Sequence, residues 1–274
     1  MITSEQITAV IRLLEAAGRE IMIIYESNDL GTRIKDDNSP VTRADMAADR
    51  IIKEGLKIIT PGVNVFSEET KDVDYSVRSK WDPLWILDPI DGTREFIAHN
   101  GEFCISLALS SDHRIEAGFI YSPVSGDTWY SLRGKGAWKE KNGEKTRLPL
   151  GFTTGAYQVN ISRSHFTRNE ELWIDNLRKL HDINIDIYGS AIKFCKLAEG
   201  VSDIYPKFSR IHEWDMAAGQ LILEESGGVI VEAASLKAPV YNKESYYQPA
   251  FIAFSKRISD WEKLLDDLNS GQSS

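Results

Sequence analysis

Apolar residues recur at helical spacing in the first quarter of the chain. Between residues 3 and 26, isoleucine, valine and leucine return three or four positions apart, which is the repeat of one face of an α-helix. Thr3 and Gln6 have the spacing of a capping box, which predicts where this helix begins. The same repeat returns over residues 44–59, and Thr42 is the predicted N-cap of that second helix.

Short apolar runs replace the helical pattern after residue 60. Two of them, residues 63–66 and 84–87, have the length of strands, and the polar stretch 71–80 between them predicts a surface loop. Four further runs are separated by turn residues and predict an antiparallel meander: 104–109, 115–121, 128–132 and 136–138. Gly134 and Gly136 predict a hairpin turn rather than a phosphate loop, because no helix follows them.

Strands and helices are mixed in the second half of the chain. The predicted strands are residues 159–161, 183–187, 203–205, 229–231 and 251–254. The predicted helices are residues 170–180, 191–199, 211–226 and 258–268. This mixture predicts an α+β layered architecture. Residues 139–155 are polar and lack a core repeat, so we divide the chain there into halves 1–150 and 151–274.

Composition and charge narrow the class of protein. The 274 residues are 42% hydrophobic and 27% charged, as in an ordinary soluble globular protein. The net charge of −9 argues against nucleic-acid polymers as partners, because phosphate backbones bind basic surfaces. It does not argue against a small anionic substrate, because bound metal ions locally reverse the field of acidic side chains.

The thiols and the N-terminus bear on the cellular compartment. Cys104 and Cys195 each lie in an apolar segment, which predicts buried thiols rather than a disulfide framework or a zinc site. The sequence has no apolar run as long as a membrane span and no cleavable leader pattern. We therefore expect a cytoplasmic protein without integral membrane association, with peripheral binding at the inner face of the membrane as the alternative.

Two carboxylates follow one of the predicted strands. Residues 85–96 read Trp-Ile-Leu-Asp-Pro-Ile-Asp-Gly-Thr-Arg-Glu-Phe, so that Asp88 ends the strand and Asp91-Gly92 forms a turn pair. Thr93 adds a hydroxyl and an amide facing the same hollow. Hard divalent cations such as Mg²⁺ prefer oxygen ligands of this kind. A solvated turn is the alternative for these carboxylates.

This string resembles the signature of the inositol monophosphatase superfamily, a group of metal-dependent, lithium-sensitive phosphatases. Two other motifs agree with it in order and spacing, Phe-Ser-Glu-Glu at 66–69 and Trp-Asp-Met-Ala-Ala-Gly at 214–219 with Glu-Ser-Gly-Gly at 225–228. The resemblance spans residues 4 to 255. It implies a layered αβαβα sandwich of the inositol monophosphatase and sugar phosphatase type, with two or three Mg²⁺ ions per active site.

The resemblance also implies a ligand set for the metal. Its members are Glu68, Asp88, the carbonyl of Ile90, Asp91 and Asp215. Four carboxylates gathered in one cleft repel one another, and divalent ions relieve that repulsion while activating water for phosphate-ester cleavage. The ligands thus belong to the 1–150 half, except for the last one, Asp215. The alternative for Asp215 is a plain acid at the start of a helix.

The same resemblance assigns catalytic roles around the metal. Thr93 is expected to orient the attacking water, with either Glu68 or Asp45 accepting its proton. That choice stays open here, and the alternative for Asp45 is a surface acid that complements the helix dipole. The substrate phosphate is expected to contact Gly92 and Thr93 through their amides, besides the metal ligands.

The 151–274 half carries the candidate substrate contacts. Gly-Ser-Ala-Ile-Lys-Phe-Cys at 189–195, Tyr-Pro-Lys-Phe at 205–208 and the flanks of the first signature resemble the nucleotidase branch, which hydrolyses adenosine 3′,5′-bisphosphate. Ser190 and Lys193 are the implied contacts, with a solvated helix lysine as the alternative for Lys193. Lys207 stands where the family often has arginine, which keeps the charge but loses bidentate geometry. His165 is a further candidate, with a surface loop residue as its alternative.

The resemblance thus favours a Mg²⁺-dependent 3′(2′),5′-bisphosphate nucleotidase that forms AMP and phosphate by direct attack of water, linked to sulfate assimilation. An inositol or sugar-phosphate monophosphatase is the alternative with the same metal chemistry. A noncatalytic ligand-binding relative is the third possibility. The expected partner is a small nucleoside bisphosphate, and we expect a monomer or a homodimer.

Overall fold

The computed structural model describes residues 2–27, 29–35 and 39–270. Its helices are α1 (Ser4–Tyr25), α2 (Arg43–Ile59), α3 (Tyr75–Arg78), α4 (Thr93–Ile97), α5 (Arg168–Leu180), α6 (Ile192–Glu199), α7 (Glu213–Glu225) and α8 (Trp261–Ser270). Its first strands are β1 (Arg33–Ile34), β2 (Pro40–Val41), β3 (Asn64–Ser67), β4 (Leu84–Asp91), β5 (Cys104–Ser111), β6 (Arg114–Ser122), β7 (Asp127–Leu132), β8 (Gly136–Lys141) and β9 (Glu144–Arg147). The later strands are β10 (Tyr157–Ser162), β11 (Ile183–Tyr188), β12 (Ile204–Lys207), β13 (Ile211–His212), β14 (Val229–Glu232), β15 (Tyr247–Gln248) and β16 (Phe251–Phe254). A 3₁₀ turn, Glu68–Thr70, follows β3.

Two large sheets organise these elements. The seven-stranded sheet has the order β3-β4-β5-β6-β7-β8-β9, with β3 parallel to β4 and every later neighbour antiparallel. The five-stranded sheet has the order β11-β10-β12-β16-β14, with β10 parallel to β11 and β12. The predicted antiparallel meander is confirmed, including the hairpin between β7 and β8.

The helices form three layers around the two sheets. Helices α1 and α2 pack against each other and against one face of the seven-stranded sheet. Helices α6 and α7 lie between the sheets, where α7 contacts β4 to β8 on one side and β14 on the other. Helices α5 and α8 pack together on the outer face of the five-stranded sheet. The predicted αβαβα sandwich is confirmed. The division into halves at residue 150 stays a prediction, because α7 packs on both sheets.

Strand β4 shows why its sequence is apolar without alternation. Trp85 and Leu87 belong to the core under α1 and α2, whereas Leu84 and Ile86 belong to the core under α7. A strand covered on both faces is apolar at every position. This burial fixes the end of β4 in the core, so the backbone of the acidic residues at that end is held rigidly.

Capping fixes the start of the two N-terminal helices as predicted. The side chain of Thr3 accepts a hydrogen bond from the amide of Gln6, and the side chain of Gln6 accepts one from the amide of Thr3. Thr42 and Asp45 form a second capping box at the start of α2. Cys104 and Cys195 are buried free thiols, as predicted. Among the described residues, no helix has both the length and the apolarity needed to cross a bilayer.

Two expectations about loops are wrong. The stretch 71–80 contains the short helix α3, and Arg78 within it is buried and donates to Asn242 Oδ1 at 2.7 Å. The polar stretch after residue 139 contains strand β9, which pairs with β8 at the edge of the sheet. All four residues of β9 are exposed, so the sequence has no apolar alternation to reveal it.

The ends of several elements differ from their predicted positions, such as the last helix, which begins at Trp261 instead of residue 258, and two of these differences shape the cleft. Strand β4 continues to Asp91, because a bulge between Asp88 and Asp91 lets it keep pairing with β5. The helix predicted over 211–226 begins at Glu213, because Ile211 and His212 instead pair with β15. Both changes bring acidic residues to the rim of one cleft.

Candidate active site

A cleft of about 250 Å³ opens where the end of β4, the start of α7 and the turn before α6 meet. Its lining includes these residues singled out from the sequence: Glu68, Asp88, Ile90, Asp91, Gly92, Thr93, His165, Ser190, Lys193, Lys207 and Asp215. Asp45 lies behind this lining and reaches it through Thr93. Residues distant in sequence, from both sheets, therefore surround one hollow.

Three carboxylates form the acidic end of the cleft. Asp88, Asp91 and Asp215 each offer an oxygen, and these oxygens lie within 4.8 Å of one another. Each carboxylate is oriented by a backbone amide: Asp88 Oδ1 accepts from Ile90 N at 3.0 Å, Asp91 Oδ2 accepts from Ala191 N, and Asp215 Oδ2 accepts from His212 N at 2.7 Å. Their positions are therefore set by the backbone of three separate segments.

The environment of this cluster opposes ionisation. Desolvation raises the pKa of Asp88 well above its ordinary value, and the nearby Glu68 and Asp91 carboxylates raise it further. Desolvation, together with the Asp215 carboxylate, raises the pKa of Asp91 to about 8. Carboxylates gathered this closely repel one another unless a cation lies between them. An all-oxygen donor set with this spacing fits a hard divalent ion.

Glu68 is close enough to raise the pKa of Asp88, and it also forms an ion pair with a lysine. Lys35 Nζ lies 2.8 Å from Glu68 Oε1 and 2.7 Å from Glu69 Oε1. Desolvation raises the pKa of Glu69 to about 7 in spite of this cation. Lys35 was missed from the sequence, since no motif or repeat links it to residues more than thirty positions away. An ammonium group thus stands beside the acidic end of the cleft.

Asp45 is buried rather than a surface acid, so the alternative reading of this residue is wrong. It is 2% exposed, and its Oδ2 accepts from the amide of Thr42 at 2.7 Å and from the Thr42 hydroxyl at 2.6 Å. Its other oxygen, Oδ1, lies 3.3 Å from the hydroxyl of Thr93. Desolvation raises the pKa of Asp45. A buried carboxylate therefore stands behind a hydroxyl that faces the cleft.

Gly92 makes the turn that presents Thr93. Its φ of 94° lies in the left-handed region that favours glycine. A Cβ at this position would lie 3.0 Å from the carbonyl oxygen of Glu102 and 3.2 Å from Ser190 Cβ. Glycine is therefore favoured both by the backbone angle and by the close approach of Glu102 and Ser190.

Two buried lysines, one on α6 and one on β12, also line the cleft and form its lysine end. Lys193 is 5% exposed, so the solvated-lysine alternative is wrong, and its Nζ donates to the carbonyl of Ser190 at 2.6 Å. Lys207 is 3% exposed, and its Nζ donates to the carbonyl of His165 at 2.8 Å. Desolvation lowers the pKa of Lys193 and lowers that of Lys207 to about 8. Both groups have lost most of their water.

Ser190 differs from its expected place at a helix start. Helix α6 begins at Ile192, and Ser190 precedes it with a φ of 49°. Its hydroxyl lies 3.6 Å from Cys104 Sγ. His165 is on an exposed loop, although it lines the cleft.

Sequence reasoning missed three arginines that line the same cleft, namely Arg94, Arg163 and Arg210. Two of them could have been predicted from the sequence, because Arg94 directly follows Thr93 and Arg163 directly precedes the Ser-His pair.

The metal-free protein should lose stability as the pH rises. Asp91 has a pKa of about 8 when folded, against about 4 in an unfolded chain, so the folded state binds more protons between these values. The free energy of unfolding therefore falls with rising pH across that window. With a chelator present, we expect a lower Tm at pH 8 than at pH 5, and MgCl₂ should raise Tm more at pH 8. Asp91→Asn should reduce this difference, and the raised pKa of Asp88 should preserve part of it. An equal response to Mg²⁺ at both pH values would contradict the repulsion argument.

Comparison with known proteins places the cleft in context. A sequence model described as the inositol monophosphatase family matches residues 3–259. The 3′(2′),5′-bisphosphate nucleotidase CysQ of Salmonella typhimurium is 37% identical over 243 residues, which cover 88% of this chain and 96% of the relative. The protein of the same description from Buchnera aphidicola is 38% identical over 246 residues, covering 88% of this chain and 91% of the relative.

Solved structures agree with this comparison. CysQ from Bacteroides thetaiotaomicron, described as a bacterial member of the inositol monophosphatase family, superposes with a TM-score of 0.82 at 37% identity and covers 91% of this chain and 97% of its own. An IMPase of Thermotoga maritima superposes with a TM-score of 0.79 at 26% identity, covering 97% of each chain.

Proposed function

The chain belongs to the inositol monophosphatase family, and from this premise we propose that it is a Mg²⁺-dependent 3′(2′),5′-bisphosphate nucleotidase. Its substrate would be adenosine 3′,5′-bisphosphate, which it would hydrolyse to AMP and phosphate as part of sulfate assimilation. The observation that carries this proposal is the pairing of an acidic cluster with buried lysines across one cleft. A substrate with two phosphates fits both ends, one through a metal and one through the lysines.

Metal ions would be held by Asp88, Asp91, Asp215 and the carbonyl of Ile90, with Glu68 joining them through its Oε2, which Lys35 does not contact. Enzymes of this family depend on metal ions. When bound, Mg²⁺ supplies positive charge to the phosphoryl oxygens and lowers the pKa of a water molecule. The chain itself keeps the carboxylates oriented through their backbone hydrogen bonds, so no reorganisation is needed at the moment of reaction.

Thr93 and Asp45 would position the attacking water and take its proton. The Thr93 hydroxyl has one proton to donate, and two acceptors lie near it, Asp45 Oδ1 at 3.3 Å and the carbonyl of Ile90 at 3.2 Å. Whichever acceptor the hydroxyl donates to, the Thr93 oxygen keeps lone pairs that can accept a hydrogen bond from water. Asp45 has a raised pKa, which suits a group that must receive a proton. The contact of Asp45 with the Thr93 hydroxyl supports Asp45 over Glu68 as the base.

The second phosphate would bind at the lysine end of the cleft. Lys193 and Lys207 are desolvated cations whose hydrogen bonds go to neutral carbonyls and a hydroxyl. Lys207 also forms a buried ion pair with Glu170 at 3.7 Å, a distance longer than that of a hydrogen bond. A phosphate dianion would complete these cations with charge-assisted bonds. An inositol monophosphate has no second phosphate to place there.

A panel of phosphate esters tests this proposal directly. We expect kcat/KM with Mg²⁺ to be at least about tenfold higher for adenosine 3′,5′-bisphosphate than for inositol 1-phosphate, because one charge-assisted contact contributes this much discrimination. Phosphate release would be measured for both esters. A preference for the inositol ester would favour the alternative monophosphatase, and no release from any ester would favour a noncatalytic relative.

A further inference from the structure

One carboxylate joins three separate segments beside the cleft. Glu102 lies between α4 and β5, and its Oε2 accepts from Arg163 Nε and from the amide of Gly189, each at 2.7 Å. Its Oε1 accepts from Arg163 Nη2 at 2.7 Å, which completes a bidentate pair. Arg163 follows β10 and Gly189 follows β11. A residue in the loop before β5 therefore holds the turns that follow β10 and β11.

The contact around Gly189 leaves little freedom. A Cβ on Gly189 would lie 2.6 Å from Glu95 Cγ and 2.8 Å from the carbonyl oxygen of Glu102. Glu95 Oε1 also accepts from the hydroxyl of Ser164 at 2.6 Å. The two turns are therefore packed closely against the segment that follows the acidic cluster.

These same turns carry the anchors of the buried lysines. The ammonium of Lys193 is held by the carbonyl of Ser190, directly after Gly189. The ammonium of Lys207 is held by the carbonyl of His165, two residues after Arg163. Any movement of the turns relative to β5 would therefore move both cations relative to Asp91.

We propose that Glu102 is a positioning residue that fixes the spacing between the acidic cluster and the lysine pair, and thereby selects substrates with two phosphates at that spacing. This inference rests on the proposed function and deepens it. Glu102 acts through Arg163 and Gly189. Hydrogen bonds from Arg163 and Gly189 hold the pKa of Glu102 below its ordinary value, although desolvation opposes this. The Glu102 carboxylate therefore stays ionised at neutral pH.

The test compares two nucleotides that share the scissile phosphate. Adenosine 3′,5′-bisphosphate has the second phosphate, and adenosine 3′-monophosphate lacks it. In Glu102→Gln we expect KM for the bisphosphate to rise by about tenfold, because the charge-assisted bonds are weakened. We expect kcat for the bisphosphate and KM for the monophosphate to change by less than about twofold, since neither depends on the lysine end.

Two further variants separate position from charge. Glu102→Asp keeps the charge but is one methylene shorter, so it should raise the bisphosphate KM as Glu102→Gln does. Arg163→Lys keeps the positive charge but cannot form the bidentate pair with Glu102. It should therefore also raise KM for the bisphosphate. Glu171→Gln is the matched control, because Glu171 pairs with Arg168 at 2.7 Å on the exposed side of α5. This control should leave kcat and KM for both nucleotides unchanged. Tm would be recorded for every variant.

Failure of the inference is distinguishable from failure of the proposed function. If the native enzyme prefers the bisphosphate and every Glu102 variant keeps that preference, the positioning role is wrong and the function stands. Equal losses for both nucleotides, or a wild-type KM in Glu102→Asp, would likewise overturn it. A native enzyme without preference for the bisphosphate would overturn the proposed function and this inference together.

Discussion

Replacing Asp88 by asparagine should lower kcat by about a hundred- to a thousandfold, the scale of losing one preorganised electrostatic contact to a transition state. Asparagine has nearly the same shape, but it removes an anionic oxygen from a cluster whose oxygens lie within 4.8 Å of one another. Asp91→Asn should act in the same way. The fold should survive in both variants, because each removes one member of a mutually repelling group and leaves the apolar core intact.

Three measurements check this result. kcat would be measured with adenosine 3′,5′-bisphosphate at saturating Mg²⁺, Mg²⁺ affinity by calorimetry, and Tm in the presence of a chelator. We expect weaker Mg²⁺ binding and a Tm equal to or above that of the native protein. Asp266→Asn, at an exposed position on α8, is the control and should change none of these. Full activity of the native enzyme in excess chelator would contradict the metal mechanism.

Local patterns were sufficient for the start of the two N-terminal helices and for the meander. The capping boxes at Thr3 and Thr42 depend on residues three positions apart, and such signals need no tertiary information. The strand that ends in the acidic motif was also evident from its apolar run. Its continuation to Asp91 was not, because a bulge depends on the partner strand.

Burial of polar residues could not be predicted from the sequence. Lys193 occupies a short helix whose pattern allows either a solvated or an enclosed side chain, and its enclosure follows from the packing of α6 between two sheets. Arg78 and Asn242 meet across more than 160 positions. The hydrogen bond from Arg163 to Glu102 likewise connects residues that are distant in the sequence and belong to segments of different sheets. Contacts of this kind depend on topology, which no local repeat encodes.

The candidate site was therefore predicted unevenly. Its acidic residues stand in contiguous motifs, and the structure brings three of them together. Glu68 lay in an equally clear motif, but its partner Lys35 was missed because the two residues belong to different segments. The assignment of Glu68 as a metal ligand stays a prediction, because Lys35 contacts one of its two carboxylate oxygens.

Replacing Lys193 by alanine should lower kcat/KM for adenosine 3′,5′-bisphosphate by about ten- to a hundredfold, which corresponds to losing one charge-assisted contact of about 1.5 to 3 kcal/mol. Lys193 is a desolvated cation that lines the cleft, so its charge is poorly screened by water. Inositol 1-phosphate offers nothing to this position, and its kcat/KM should change by less than about threefold.

Lys196→Ala is the matched control for this prediction, because Lys196 lies on the same helix and pairs with Glu199 instead of lining the cleft. It should leave the ratio of the two kcat/KM values unchanged. Lys193→Met separates charge from packing, since methionine keeps most of the apolar stem while removing the ammonium group. If the lysine acts through its charge, Met and Ala variants should lose the same selectivity even where their Tm values differ. Equal losses for both substrates in Lys193→Met would mean that this residue supports the fold of the cleft and does not contact the second phosphate.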